Sequence, residues 1–254
     1  MEVTFLIAFG LIFGSFLNVV IHRLPLERSI VRPRSQCPGC GIEIKFYDNI
    51  PVLSFLFLRG KCRRCGAPIS FQYPLVEILT AFTFWLSYEY FKDEPLYAAG
   101  AIVFLSILIA LAFIDLFHMI LPDELTLGGA LVFALYSFLN PSVTVLEAFA
   151  TAMGASLFFA LLYLFYLKVR KIEGLGFGDV KLMLLLGLFL GLKKLVIALL
   201  LASVAGLLVG IFFIIFKQKN LKLALPFGTF LALGSYIAVF WGDAIFDFFQ
   251  LIYR

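Results

Sequence analysis

Long apolar runs separated by short polar stretches make up most of this chain. They fall at about 3–21, 75–91, 96–114, 125–139, 145–167, 180–190, 195–216 and 225–248. Polar and apolar residues do not alternate within them, which excludes the strands of a membrane barrel and leaves helices. A membrane-crossing helix needs roughly 20 predominantly apolar residues. Most runs reach that length with their flanks, whereas 180–190 is short and is expected to tilt or to cross partway. The pattern predicts an all-α polytopic membrane protein of about eight transmembrane helices, with one sizeable polar insertion at 22–74.

Composition agrees with lipid as the main solvent. Of 254 residues, 63% are hydrophobic and 14% charged, with a mean hydropathy of +1.05. A soluble chain carries nearer a quarter charged residues. The net charge of +4 matters less than its placement. With the N-terminus outside, the inward loops are 22–74, 115–124, 168–181 and 217–224, and they hold 16 of the 20 Lys and Arg residues. Basic residues collect in cytoplasmic loops, so the asymmetry supports that orientation. The first run follows an acidic start and lacks a small-residue cleavage site, so it reads as a retained helix and not a signal peptide.

All four cysteines lie in the polar insertion. Cys37 and Cys40 form one CxxC pair and Cys62 and Cys65 another, 21 residues apart. Two such pairs have the ligand spacing of a tetrahedral zinc site. Gly39, Gly41 and Gly66 give the turns their freedom, and Lys61, Arg63 and Arg64 favour thiolate over thiol. Two disulfides are the alternative, but a cytoplasmic loop keeps its thiols reduced. A zinc held by four cysteines is structural, because no position remains for water. A loop of about 50 residues builds little core, so metal binding is expected to stabilise its fold.

Ionisable residues at membrane depth are functional candidates. Asp115 ends the third apolar run, about 19 residues or 29 Å along a helix from Leu96. Asp179 opens the sixth. Two spans separate them, so both sit at the same membrane face. Two facing carboxylates in low dielectric do not ionise together easily, and such a pair can activate water for attack on a peptide carbonyl and protonate the leaving amine. Gly176 and Gly178 would let a substrate backbone approach Asp179. Asp179 as a helix N-cap and Asp115 as a helix-end residue are the plainer readings. Asp123, after Pro122, reads as an N-cap, and His118 as an interfacial residue. Asn18 and Glu77 read either as polar glue between helices or as lining of a substrate groove.

Several motifs resemble the type IV prepilin peptidase family. They are GSFLNVVIHRLP at 14–25, the cysteine quartet, DNIPVLSFL at 48–56, LRGKCRRCGAPIS at 58–70, YPLVE at 73–77, the FIDLFHMILPD segment and GFGDVK at 176–181. GFGD also resembles, more loosely, the GxGD motif of presenilin-like intramembrane proteases. The resemblance implies an intramembrane aspartyl peptidase of the bacterial inner membrane. It would cleave the short basic leader of type IV prepilins or secretion pseudopilins at the cytoplasmic face, after a glycine, with Asp115 and Asp179 as catalytic residues. It implies further that the chain N-methylates the new N-terminus, usually phenylalanine, using S-adenosylmethionine. On this reading 1–74 is the first helix plus the zinc-binding, methylation-associated loop, and 75–254 is the peptidase bundle. Partners are then pilin-like substrates and membrane lipid, not nucleic acid.

The residues themselves do not point to methylation. The 22–74 loop is too short for a Rossmann-like cofactor unit and has no such Gly-rich turn. The donor-binding residues stay unassigned, with Gly60 and its neighbours Arg59 and Lys61 as the nearest candidates. Two other classes fit part of the sequence. A transporter would use membrane carboxylates as a proton relay, but it calls for charges near the midplane and repeated broken helices. A non-enzymatic assembly factor would use the cysteine loop for docking and leaves Asp115 and Asp179 without a role.

Overall fold

The computed structural model describes residues 2–170, 176–217 and 225–252. Parts of the inward loops 168–181 and 217–224 lie outside those residues. Eight α-helices account for most of the rest: α1 (Glu2–Arg23), α2 (Leu53–Phe57), α3 (Gln72–Tyr90), α4 (Pro95–His118), α5 (Asp123–Tyr136), α6 (Val145–Phe165), α7 (Phe177–Lys217) and α8 (Phe227–Ile252). Among the described residues, five stretches are long and apolar enough to cross a membrane: Glu2–Leu26, Pro95–His118, Val145–Val169, Phe177–Ile215 and Phe227–Leu251. The protein is a multi-pass membrane protein. Its contacts divide it into two units, Met1–Ile102 and Val103–Arg254.

In the first unit α1 and α3 pack antiparallel and close. A Cβ added to Gly10 would lie 2.7 Å from the Cα of Ala81, and one on Gly14 would lie 2.6 Å from the Cα of Glu77. Only glycine permits that approach, and the four-residue spacing puts both on one face, as in small-xxx-small membrane contacts. Phe9 and Phe13 flank the pair, each with its ring centroid 5.8 Å from that of Phe84. Between the two helices the chain forms two similar knuckles. In each, the cysteine N–H donates to a carbonyl five residues on (Cys37 to Ile42, Cys62 to Ala67), and its carbonyl accepts from a glycine N–H (Gly41, Gly66). Those glycines have φ of +69° and +71°, the left-handed region that glycine enters without strain.

The second unit is built around α7. Its 41 residues would be about 62 Å long if straight, twice a hydrocarbon core of about 30 Å. The chain instead reverses at Gly191 (φ 67°, ψ 176°). The contacts on either side show the reversal. The first arm, 177–190, runs antiparallel to α6: Gly187 lies on Ala152, and Ser156 Oγ donates to the Val180 carbonyl. The second arm, 192–217, runs antiparallel to α8: Gly242 meets Lys194, Gly234 packs on Ala198, and Gly206 faces Phe230. Both ends of α7 therefore lie at the same end of the unit. The runs 180–190 and 195–216 are thus two antiparallel arms, the first only about 21 Å long. It packs beside the equally short α5, and Phe104, Phe133 and Phe189 form the core between α4, α5 and that arm, with Phe104 and Phe189 stacked at 4.3 Å.

Candidate active site and metal centre

Helix ends assemble the acidic site. Asp115 lies in the last turn of α4 and Asp179 in the first turn of α7, and both are buried, at 6% and 7% exposure. The structure brings their surroundings together: Leu121 packs on Gly178, next to Asp179, and on Gly228, which faces Asp115. Leu121 stands between their neighbouring backbones. A Cβ on Gly178 would lie 3.0 Å from Leu121 Cβ, and one on Gly228 would lie 3.0 Å from Asp115 Oδ2 and 3.1 Å from Leu121 Cδ1. Gly176 is looser, its added Cβ being 3.4 Å from Asp179 Oδ2.

The N-terminus of α8 supplies what the sequence reading missed. Helix starts leave N–H groups without intrahelical partners and favour anions. The Thr229 N–H donates to Asp115 Oδ2 at 2.8 Å, and its hydroxyl lies 3.2 Å from the same oxygen and 3.0 Å from the Ala112 carbonyl. The carboxylate is therefore pinned by a helix 114 residues further along the chain. The sequence signal was the Pro226-Phe227-Gly228-Thr229 helix start at the opening of an apolar run.

Asp123 does not cap α5. Pro122 holds the N-cap position, with no side-chain cap bond, and Asp123 sits in the first turn with its carboxylate paired to Lys181. His118 is the exposed end of α4.

The first unit carries the second site. The sulfur atoms of Cys37, Cys40, Cys62 and Cys65 all lie within 4.8 Å of one another, and all four are free thiols. They can hold one metal ion. The Cys65 and Arg64 backbone N–H groups, with the Cys37 side chain, hold the Cys62 thiol down at about 6. Asp48 braces the second knuckle through a two-pronged pair with Arg63, at 2.7 Å for the shortest contact.

Asn18 and Glu77 also come together there. Both are buried, and both line a cavity of about 420 Å³ enclosed by α1, α3 and the knuckle loop. Glu77 Oε2 accepts the Val52 N–H at 2.7 Å. Val52 has φ of +60°, a strained value for a β-branched residue, and this bond helps to hold it. Arg59, Gly60 and Lys61 do not line the cavity, but Gly60 lies against the ring of Phe55, which does.

A multi-pass helical protein with buried aspartates at two helix ends and a four-thiol cluster able to hold a metal ion is the class this architecture defines. Residues 8–91 match the family described as Bacterial Peptidase A24 N-terminal domain, and residues 102–211 match the Type IV leader peptidase family. A prepilin leader peptidase/N-methyltransferase of Aeromonas hydrophila is 42% identical, over 93% of this chain and 90% of its own length. Proteins of the same name from Legionella pneumophila and Pseudomonas aeruginosa are 37% and 36% identical, over 95% and 94% of this chain and 92% and 90% of their own lengths. No solved structure gives a significant match. The chain belongs to the type IV leader peptidase family, and it is an enzyme of that family.

Proposed function

We propose that this protein cleaves the leader peptide of type IV prepilins or pseudopilins and then N-methylates the new terminus, with Asp115 and Asp179 as the catalytic pair. The observation that carries the peptidase reading is the buried pair itself, set at two helix ends and fixed by a third helix through Thr229. In the reaction one aspartate takes a proton from water as the water oxygen attacks the scissile carbonyl. The other, protonated, gives its proton to the leaving nitrogen as the C–N bond breaks. Gly178 and Gly228 let Leu121 pack closely between the backbones that carry the two carboxylates.

We assign zinc to the cysteine cluster. Thiolates about 2.3 Å from a tetrahedral zinc lie about 3.8 Å apart, and Cys37 Sγ is 3.8 Å from Cys65 Sγ. Four thiolates leave no open position, so the metal would fold the loop and take no part in cleavage. The methylation reading rests on the relatives' names and on the N-terminal family match, and we place it in the 1–74 segment, with S-adenosylmethionine as donor, and leave 75–254 to cleavage. The excess of Lys and Arg in 22–74, 168–181 and 217–224 supports an N-terminus outside and a bacterial inner-membrane protein acting at its cytoplasmic face.

The test is cleavage of a synthetic prepilin by the purified protein. Asp115→Asn and Asp179→Asn proteins that fold should each lose cleavage by about a thousandfold or more, as removing one member of a catalytic unit does. Cleavage near the wild-type rate in either variant removes that residue from the pair.

A further inference from the structure

The cavity between α1, α3 and the knuckle loop has an unusual wall. Asn18 is 3% exposed, and its Nδ2 donates to the Gly14 carbonyl at 3.3 Å and to the Tyr73 carbonyl at 3.0 Å. Those bonds fix the amide orientation, since a flip would lose both. Its Oδ1 is then buried with no hydrogen-bond partner among the described residues. Glu77, also buried, lines the same cavity; its carboxylate takes the Val52 N–H and has no ion-pair partner among the described residues. Buried charges are ordinarily paired, and a buried acceptor without a donor calls for an explanation. A buried carboxylate with no counter-charge on the wall of a cavity is a place prepared for a cation.

We propose that this cavity holds the sulfonium methyl donor, with its cationic sulfur against Glu77. The inference rests on the methylation reading above, names the site for it and extends that site past residue 74 to Glu77 of α3. The cavity volume falls in the range of small-molecule sites, about 300–1,000 Å³. Phe55 and Tyr73 line it and offer aromatic faces to a purine, and Arg64 offers a cation to a carboxylate. The chemistry balances without a further reactant. The neutral N-terminal amine left by cleavage attacks the methyl carbon, forming an N–C bond as the C–S bond breaks. The electron pair stays on sulfur, which becomes a neutral thioether, and the methylated nitrogen gives up its extra proton to solvent. The cation that Glu77 would hold is thereby consumed, which favours release of the product.

That change of charge supplies the test. Binding of S-adenosylmethionine and of S-adenosylhomocysteine, which carries a neutral thioether, is measured by calorimetry on the full chain in detergent. Glu77→Gln keeps an oxygen for the Val52 N–H and removes only the charge. It should weaken S-adenosylmethionine binding at least about tenfold and S-adenosylhomocysteine binding less than about threefold, the difference expected when one desolvated charge contact is lost. Retained metal and an unchanged melting temperature confirm the fold. In the wild-type chain, either ligand should slow hydrogen exchange in 15–23 and 50–56. If the wild-type chain methylates a pre-cleaved peptide but Glu77→Gln binds both ligands normally, or protection falls elsewhere, the cavity assignment is overturned and the methylation reading stands. If the wild-type chain neither binds donor nor transfers methyl groups, the methylation reading falls and this assignment with it.

Discussion

Gly228→Ala should damage cleavage through geometry alone. The new Cβ would lie 3.0 Å from Asp115 Oδ2 and 3.1 Å from both Leu121 methyls. Leu121 can rotate away. Asp115 cannot move freely, because the neighbouring Thr229 N–H holds the same oxygen at 2.8 Å. A relaxed carbon–oxygen contact is about 3.3 Å or more, so the carboxylate must shift by about 0.3 Å or its bond to Thr229 must lengthen. A misplacement of about 1 Å can cost a hundredfold in rate, and weakening a hydrogen bond to a charged group costs about 1.5–3 kcal/mol. Together they put the loss in kcat/KM at roughly tenfold to a hundredfold. Gly176→Ala is the control, since its Cβ would sit 3.4 Å from Asp179 Oδ2, an ordinary contact, and the loss there should stay under about threefold. The assay is single-turnover cleavage of a synthetic prepilin, with the melting temperature as a check on folding. A folded Gly228→Ala protein cleaving within twofold of wild type, or a Gly176→Ala protein slower than it, would refute the reasoning.

Purified protein should carry one zinc per chain by elemental analysis, and Cys40→Ser or Cys62→Ser should lower that content; metal-free protein with two disulfides, prepared without air, would overturn the assignment. The Asp179→Asn protein should still transfer labelled methyl groups to a pre-cleaved peptide, because methyl transfer needs an amine and a donor but no water-activating pair; loss of transfer by a folded variant would show that the two activities share a site. Gly191→Ala should destabilise the second unit by about 1–3 kcal/mol or more, since its backbone conformation is open to glycine almost alone and its Cβ would lie 3.0 Å from Glu147 Oε1; an unchanged melting temperature would argue against a fixed reversal there.

Much of the architecture was legible because lipid imposes a simple code. Apolar runs of helical length mark the membrane elements, and the CxxC pairs mark a cluster whose four sulfurs the fold brings within 4.8 Å. The shared end of Asp115 and Asp179 followed from counting the spans between them. What stayed hidden depends on long-range contact. Nothing near Asp115 in the chain announces Thr229. Gly191 is one glycine among 20, and no local pattern separates a chain reversal there from a bend. Asp123 looked like a cap because it follows a proline, yet a lysine 58 residues away takes its carboxylate. The Gly10 and Gly14 spacing was readable as a helix-packing face, but its partners Ala81 and Glu77 could be named only from the folded chain.

The reversal at Gly191 also bears on how the protein enters its membrane. Lys193 and Lys194 stand at the tip of the α7 hairpin, at the end of the unit away from the aspartates, where both pair with Asp243 of α8. On the orientation proposed above, a hairpin inserted as one object takes its tip, with two lysines on it, across the bilayer. The ribosome has not yet made α8 when that happens, and the neutralising aspartate arrives about 50 residues later. With the N-terminus outside, as proposed above, the tip crosses before Asp243 is made, against the tendency of lysine to stay inside. On that orientation the helices already in place set its direction, and Asp243 then pairs with both lysines and holds the tip to α8.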